Sequence, residues 1–306
     1  MHYVGIFNRD GGTFRTMDMD AFTDTAIKVF SEHGHVLEPR VVEGKDLIAE
    51  LEKAANDPRC DVLLAGGGDG TISSAAEICF HTGKPLAVLP AGTMNLFARS
   101  LKLPMALDEA LVALAAGEVR RVDIATANGK AFVHQYSVGI HTRLVRMREQ
   151  MVYRSRIGKM VASVRAIVRA VRRPPVFWAE IRTGRGLEQR KATGITISNN
   201  VLSEGHIPYA DDIDGGMLGV YILKPLPPLE LAKLCFDVIL GRWKASPQVS
   251  EKEVREVTLV FPRRKSSALA LIDGELTDLS YRVELRIHPA ALQVVAPIEQ
   301  REPVAA

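Results

Sequence analysis

Several features that would place a protein in a special class are missing from this 306-residue sequence. Its three cysteines are odd in number, and their spacing fits neither a disulfide framework nor a metal site, so we expect reduced thiols. The net charge of +3 is too small to favour nucleic acid as a partner. No apolar run is long enough to span a bilayer, and the first residues do not resemble a signal peptide. These absences favour a globular, cytoplasmic protein, while contact with the inner face of a membrane stays open.

The first part of the chain alternates predicted strands with predicted helices, which is typical of a doubly wound α/β domain with a parallel sheet. Gly34 and Gly83 are expected to end two of these helices. The predicted strands are 2–7, 36–42, 62–65 and 86–89. The first predicted helix is capped by Asp18 or Asp20 and ends at Gly34, and the others are 45–56, 72–81, 96–101 and 107–116.

The pattern changes near Val119, where Asn128-Gly129 predicts a hairpin between two strands. A helical pattern between 138 and 174 and a helix over 229–240 interrupt a series of predicted strands. These features predict a mostly antiparallel β-sandwich. The strands are expected at 121–127, 130–138, 176–182, 191–198, 218–223, 254–261, 268–272 and 282–287.

The most informative stretch is DVLLAGGGDGT, from Asp61 to Thr71. Its apolar residues 62–65 predict a buried strand, and the residues from Ile72 onward predict a helix, so the glycines form the turn between them. Glycines leave no side chain between the backbone and a ligand, and the first N–H groups and the dipole of a helix favour an anion. The stretch therefore predicts a phosphate-binding turn, most naturally for a nucleotide.

Two polar residues add chemistry to this turn. Asp69 is expected to hold Mg2+ through water or to take a proton, and Thr71 is expected to cap the helix or to bond a phosphate oxygen. An ordinary strand-to-helix turn needs only one or two glycines, so three glycines with an aspartate and a threonine favour the phosphate interpretation.

Two motifs together resemble the diacylglycerol kinase catalytic family, which includes bacterial lipid kinases and sphingosine and ceramide kinases. They are GGGDGT at 66–71 and PAGTMNLFARSL at 90–101. The stretch IDGE at 272–275 is similar to that family's late acidic motif, and HPAAL at 288–292 is similar to its closing strand. GGDGT alone is shared with NAD kinases and resembles phosphofructokinases, whereas the other motifs make the lipid-kinase branch more specific.

The resemblance implies an α/β nucleotide domain similar to NAD kinases and phosphofructokinases over 1–120, completed by a return of 288–306, and a β-sandwich lipid domain over 121–287. It implies ATP and Mg2+ as cofactors and a lipid substrate at the membrane surface. The residues that it places at the ATP site are Asn8, Gly66, Gly67, Gly68, Asp69, Gly70, Thr71, Gly92, Thr93 and Asn95. Those that it places at the reaction centre are Glu275, Asp273 and Asp69.

The segment 211–219, DDIDGGMLG, departs from the family pattern, because glycines stand at two positions that are often aspartate. Asp214 or Asp212 then supplies a structural Mg2+ ligand besides Asp69, or this accessory metal site is lost. Several aspartates in a turn are otherwise typical of a solvated loop.

Two carboxylates are candidates for the general base that phosphoryl transfer to a hydroxyl needs. We favour Glu275 as the base and Asp69 for metal and phosphate, because Asp69 lies inside the predicted phosphate turn. The reverse assignment stays open, because sphingosine-kinase-like members suggest the aspartate of GGDG as the base. Taken alone, Asp273-Gly274 would simply predict a hairpin turn.

The segment 143–173 is strongly basic, with ten lysines or arginines and one acid, Glu149. Its apolar residues recur at helical spacing, so it predicts a basic amphipathic helix. Such a helix can lie on an anionic bilayer, where each cation contributes about 1 kcal/mol. The alternative is a helix that packs its apolar side on the β-domain and leaves its cations in solvent.

The expected function is transfer of the γ-phosphoryl group of ATP to a lipid hydroxyl, with diacylglycerol as the default acceptor and phosphatidic acid as the product. The alternatives are a sphingolipid kinase, a kinase of a soluble substrate similar to NAD kinases, and a non-catalytic nucleotide- or lipid-binding regulator. No motif names the lipid, and homodimerisation stays open.

Overall fold

The computed structural model describes residues 1–149, 174–205 and 208–298. It divides into two compact units. Unit 1 combines Met1–Ile124 with the chain from Pro289 onward, and unit 2 is Ala125–His288. Because β5 (Glu118–Ala127) and β16 (Arg282–Ala296) cross these boundaries, each strand contributes residues to both units.

Unit 1 contains a parallel sheet with the strand order β2-β1-β3-β4, and the end of β16 pairs in parallel with β4. Among its helices, α1 contacts α5, and α3 contacts both α2 and α4. The predicted doubly wound α/β domain is confirmed. Its elements are β1 (His2–Asn8), a 3-10 helix (Gly12–Thr16), α1 (Met19–Glu32), β2 (Val36–Val42), α2 (Leu47–Ala55), β3 (Val62–Gly67), α3 (Asp69–Thr82), β4 (Leu86–Pro90), α4 (Leu96–Ser100) and α5 (Leu107–Ala115).

Local sequence signals explain two of the helix ends in unit 1. The Asp18 carboxylate caps α1 by accepting hydrogen bonds from the backbone N–H groups of Asp20 and Ala21. Gly83 ends α3 in the left-handed conformation, as predicted. All residues of β3 and β4 are buried, which is expected of central strands in a parallel sheet.

Unit 2 is a sandwich of two antiparallel sheets. One has the order β12-β11-β10-β7-β14-β15, and the other contains β9-β8-β13-β16 with β5 and β6 attached. Both sheets contribute to one apolar core, so the predicted sandwich is confirmed. The elements after β5 are β6 (Lys130–Phe132), β7 (Gln135–Gly139), α6 (Ile140–Glu149), β8 (Phe177–Thr183), β9 (Gly186–Ala192), β10 (Gly194–Ser198), β11 (Leu218–Leu223), α7 (Pro228–Ile239), a 3-10 helix (Trp243–Ala245), β12 (Val249–Val254), β13 (Glu256–Val260), β14 (Leu269–Ile272) and β15 (Glu275–Asp278).

Three predicted strands are each two strands in the structure, and two of them are interrupted at a single residue. The predicted strand 191–198 is interrupted at Thr193. There the chain ends β9, which pairs with β8, and joins the other sheet as β10, which pairs with β7. The predicted strand 254–261 is interrupted at Arg255 in the same way, between β12 and β13. Strands that pass between the sheets of a sandwich form its corners. The core-facing side chains change from even to odd positions at both corners, from Ala192 to Ile195 and from Val254 to Val257.

The predicted strand 130–138 is also wrong, because it is broken at Val133 and His134. The backbone N–H groups of both residues donate to the carboxylate of Asp273, so they are directed away from strand pairing. The final predicted strand, 282–287, is longer than expected, since β16 runs without interruption to Ala296.

Candidate functional site

In unit 1, the predicted phosphate residues lie at the carboxyl ends of β1, β3 and β4. From β1 the chain continues to β2 on one side of β1 and then to β3 on the other side. The sheet therefore changes its direction of winding between β1 and β3, and ligands of open α/β sheets bind at such a point. Asn8 ends β1 here, and the glycine run begins at the end of β3.

The helix after the glycine run begins earlier than the sequence predicts. Gly68 is the N-cap of α3, and the first helical hydrogen bond runs from Ile72 N–H to the Gly68 carbonyl. Thr71 therefore lies within the first turn and does not cap it, which corrects the capping role predicted for it. The N–H groups of Asp69, Gly70 and Thr71 have no partner within the helix, and no side chain caps this end among the described residues. Three donors and the positive end of the helix dipole thus meet at one point, which suits a phosphate.

Packing within unit 1 explains three of the glycines. A Cβ at Gly66 would lie 2.6 Å from the Phe7 ring, and one at Gly67 would lie 2.5 Å from Thr71 Oγ1. A Cβ at Gly92 would lie 2.6 Å from the Cα of Gly68, so the two turns are in close backbone contact. These three glycines are required by the fold itself.

Gly68 differs from those three glycines. Its backbone has φ −84° and ψ 179°, which any residue adopts, and a Cβ there would meet only the Cα of Gly92 at an ordinary 3.7 Å. The fold does not require a glycine at 68. The missing side chain instead leaves room for a ligand to reach the helix N-terminus.

The carboxylate of Asp69 connects this turn to the loop after β4. It accepts hydrogen bonds from the backbone N–H groups of Asn95, at 3.2 Å, and Leu96, at 2.7 Å. Leu96 is the first residue of α4, so Asp69 satisfies donors at the start of that helix. The structure therefore gives Asp69 an organising contact, while its predicted part in metal binding or proton transfer stays a prediction.

Two asparagines hold the neighbouring turns in place. The Asn8 amide donates to Thr71 Oγ1 at 3.1 Å, which links the end of β1 to α3. Asn95, with a left-handed backbone, donates from its side chain to the Gly92 carbonyl and accepts from the Gly92 N–H at 2.8 Å. Thr93 is exposed at the tip of that loop. Unit 1 thus brings together all the residues predicted to bind ATP.

In unit 2, Asp273 and Gly274 form the two-residue turn of the β14–β15 hairpin. Both have positive φ, of 46° and 90°, as the tight turn of an Asp-Gly hairpin requires. Asp273 is buried, and its carboxylate accepts from the backbone N–H groups of Val133, His134 and Gln135, each at 2.9 Å. Asp273 therefore fixes the hairpin to the β6–β7 connection, whereas its predicted place near a metal stays a prediction.

Glu275 follows this turn as the first residue of β15 and is exposed. No hydrogen bond or ion pair occupies its carboxylate among the described residues, so both oxygens are available. Asp212 and Asp214 are also exposed, and the Asp212 carboxylate accepts from the Asp214 N–H at 3.1 Å. They form a solvated turn of the kind that such a sequence also predicts.

One feature of unit 2 carries no motif and was not predicted. A largely apolar cavity of 430 Å³ lies beneath α7, lined by Leu231, Leu234 and Cys235 of that helix and by side chains of β7, β10 and β11. Polar groups form a row at its wall. The Gln135 amide lies 3.3 Å from His141 Nδ1, which lies 3.3 Å from the hydroxyl of Ser137. That hydroxyl in turn lies 3.1 Å from the hydroxyl of Thr196. The cavity has the size and composition of a small-molecule site. Only the amphipathic pattern of α7 could have suggested it.

The described residues bear on the predicted metal and membrane contacts. No group of three or more His, Cys, Asp or Glu stands ready to hold a metal ion there. None of the described helices is long and apolar enough to cross a bilayer. Of the predicted basic helix 143–173, residues 143–149 belong to α6, and the remainder lies outside the described residues.

The chain is similar to known proteins, and most strongly so over unit 1. Residues 2–127 match the family model of the diacylglycerol kinase catalytic domain. A protein named "Probable lipid kinase YegS" from Escherichia coli K12 / DH10B is 36% identical over 124 residues, which are 39% of this chain and 42% of that protein. An uncharacterized Synechocystis protein, sll0036, is 24% identical over 273 residues, which are 84% of this chain and 60% of that protein. The chain thus spans about half the length of these relatives.

Solved structures share the fold over nearly the whole chain. A diacylglycerol kinase from Bacillus anthracis str. Sterne superposes with a TM-score of 0.70 at 15% identity, and the alignment covers 96% of each chain. The turn of residues 66–71 and the loop after β4 both lie inside the segment that the family model matches. The similarity to the diacylglycerol kinase catalytic domain thus lies in residues 2–127, the segment that contains the helix N-terminus of α3 and the loop after β4.

Proposed function

We propose that the protein is an ATP-dependent lipid kinase that transfers the γ-phosphoryl group to a lipid hydroxyl, with diacylglycerol as the acceptor and phosphatidic acid as the product. The observation that carries the proposal is the cluster at the start of α3, which lies within the matched catalytic-domain segment. Ceramide, a sphingoid base, monoacylglycerol or phosphatidylglycerol would be the next acceptors to consider.

The nucleotide phosphates would bind at the N-terminus of α3. The free N–H groups of Asp69, Gly70 and Thr71 would donate to phosphate oxygens, and Gly68 would allow the close approach. The contact of Asp69 with the start of α4 would keep the loop around Gly92 against this turn. Donors that are already oriented stabilise charge on the transferred group without reorganisation.

Mg2+ is the metal that such a reaction implies. Kinase sites hold it through one or two carboxylates together with the substrate phosphates, so a preformed cage of several acids is not needed. Asp69 is the carboxylate of unit 1 that fits this role, because it lies in the first turn of α3. When bound, the ion would neutralise charge on the phosphate oxygens.

The acceptor hydroxyl needs a base, and Glu275 suits this role better than Asp69. The two Asp69 oxygens already accept backbone hydrogen bonds, whereas the Glu275 carboxylate is exposed and both its oxygens are available. In the proposed step, the hydroxyl oxygen bonds to the γ-phosphorus and its proton passes to Glu275. The bond to the bridging oxygen breaks, and ADP leaves.

The apolar cavity of unit 2 favours a lipid over a soluble acceptor. Its wall of leucine and valine side chains would receive a hydrocarbon chain, and burial of such a chain is favourable in proportion to its apolar area. Cys235 lines this cavity, while Cys60 and Cys79 are buried elsewhere, so one thiol reports on its occupancy.

The test is transfer of label from γ-labelled ATP in the presence of Mg2+ to mixed micelles that carry a panel of neutral lipids and sphingolipids. Parallel samples contain NAD or no lipid. Label in one lipid band supports the proposal and names the acceptor. Label in NAD alone would favour a soluble-substrate kinase, and ATP binding without any transfer would favour a regulator.

A further inference from the structure

A basic groove of 610 Å³ lies in unit 2, beside the first turns of α6. It is formed by α6, the start of β8, and the exposed loop between β13 and β14. That loop has the sequence PRRKSS, in which Arg263, Arg264 and Lys265 are consecutive. Arg146 of α6 faces the same groove. Elements that are distant in sequence therefore concentrate positive charge at one place.

These cations are not neutralised within the described part of the chain. No aspartate or glutamate lines the groove, and Arg146, Arg263, Arg264 and Lys265 form no ion pair there. Elsewhere in unit 2, exposed arginines commonly pair with carboxylates, as Arg282 does with Glu284. Like charges held together without counterions repel one another, so this groove is suited to an anionic partner.

Apolar side chains border the cations. Val176 is 55% exposed and Trp178 is 39% exposed, and both line the groove. Lys191 Nζ lies 5.1 Å from the centre of the Trp178 ring, which adds a further cation beside the aromatic face. Tryptophan with lysine and arginine is the combination found at the boundary between water and lipid.

We propose that this groove and its rim dock the protein on the surface of a bilayer that contains anionic phospholipids. The cations would contact phosphate headgroups, and Val176 and Trp178 would enter the interface. Charge complementarity favours an anionic surface, and the exposed apolar rim favours a bilayer over a soluble polyanion. The proposal extends the membrane contact expected of 143–173 to a second segment, and it does not depend on phosphoryl transfer.

The test is binding to vesicles of phosphatidylglycerol and phosphatidylcholine in equal parts, compared with vesicles of phosphatidylcholine alone, without ATP. The test variant carries Arg263→Gln, Arg264→Gln and Lys265→Gln. A matched variant, whose positions are exposed and lie outside the groove, carries Lys130→Gln, Arg185→Gln and Lys224→Gln. Removing three interfacial cations should weaken partitioning about a hundredfold, whereas the matched variant should bind nearly as the unmodified chain does.

Fluorescence gives a second readout, because the chain has only two tryptophans and Trp243 is buried. In a Trp243→Phe background, the emission of Trp178 should shift to the blue when anionic vesicles are added. The proposal is overturned if both charge variants bind alike, if the two vesicle types bind equally, or if Trp178 emission stays unchanged on binding. Binding to heparin without binding to vesicles would also overturn it, in favour of a soluble polyanion.

Discussion

Replacing Asp273 by asparagine tests whether this carboxylate organises the hairpin that carries Glu275. The side chain is buried and accepts three backbone N–H groups, each at 2.9 Å. Its Oδ1 receives two of these hydrogen bonds, from His134 and Gln135, and its Oδ2 receives the one from Val133. Asparagine keeps one acceptor oxygen and replaces the other by an amide that only donates.

The size of the effect follows from these contacts. With its oxygen at the Oδ1 position, asparagine would retain two hydrogen bonds and would face the Val133 N–H with a second donor. A hydrogen bond to a charged group contributes about 1.5–3 kcal/mol, and a buried donor left without an acceptor costs about 1–3 kcal/mol. We therefore expect Asp273→Asn to lower the free energy of unfolding of unit 2 by about 3 kcal/mol. Asp273→Ala should cost about 5 kcal/mol, because all three bonds are lost and the positive φ disfavours alanine.

Urea unfolding followed by tryptophan fluorescence measures this loss, since Trp178 and Trp243 both belong to unit 2. The matched control is Asp278→Asn, at the other end of β15, where the side chain is exposed. That change should stay within about 0.5 kcal/mol. If Asp273→Asn were as stable as the control, the organising role would be refuted. Loss of phosphoryl transfer with an unchanged unfolding curve would instead place Asp273 in the chemistry.

Three further predictions address the glycine turn, the core and the cavity. Gly68→Ala should unfold like the unmodified protein but lose ATP affinity by tenfold or more, while Gly184→Ala should change neither; equilibrium binding and urea unfolding measure both. Burial, with the charge of Asp61, raises the pKa of Tyr3 to about 12. The pKa of Tyr3 is therefore higher in the folded than in the unfolded protein. Its contribution to the free energy of unfolding is complete below about pH 10 and is lost as pH rises through the folded pKa, by about 2 kcal/mol at pH 12. Tyr3→Phe should remove that part of the alkaline loss in unfolding measurements, and an equal loss in the variant would contradict the assignment. Maleimide labelling of Cys235 should slow when diacylglycerol micelles are present, and unchanged labelling would argue against an occupied cavity.

The part of the fold that follows local pattern could be predicted from the sequence. The alternation of strands and helices in unit 1 follows from the spacing of apolar residues within each element. The glycine run marks the turn before α3. The strand breaks at Thr193 and Arg255 were missed. Their one local signal is a shift of the core-facing side chains from even to odd positions, from Ala192 to Ile195 and from Val254 to Val257.

The sequence predicted which residues belong to the candidate site, but it did not predict most of the contacts that these residues make. Asp69 and Asp273 both bind backbone groups far along the chain, 26 and 140 positions away in two cases, and no local pattern reports such partners. The cavity under α7 is lined by residues from several elements, so no single stretch encodes it. The requirement for glycine at 66, 67 and 92 likewise became evident only from their neighbours in space.

The measurement that tests the central claim most directly is transfer of label from γ-labelled ATP to diacylglycerol by three proteins at equal concentration. They are the unmodified chain, Glu275→Gln, and Glu253→Gln, an exposed glutamate of β12 in the same unit. We expect labelled phosphatidic acid from the unmodified chain and from Glu253→Gln. Glu275→Gln should bind ATP normally and transfer at least a hundredfold more slowly, since general bases contribute about 10²–10⁴ to rates. Near-normal transfer by Glu275→Gln would contradict its role as the base, and no labelled lipid from any of the three would contradict the lipid-kinase function.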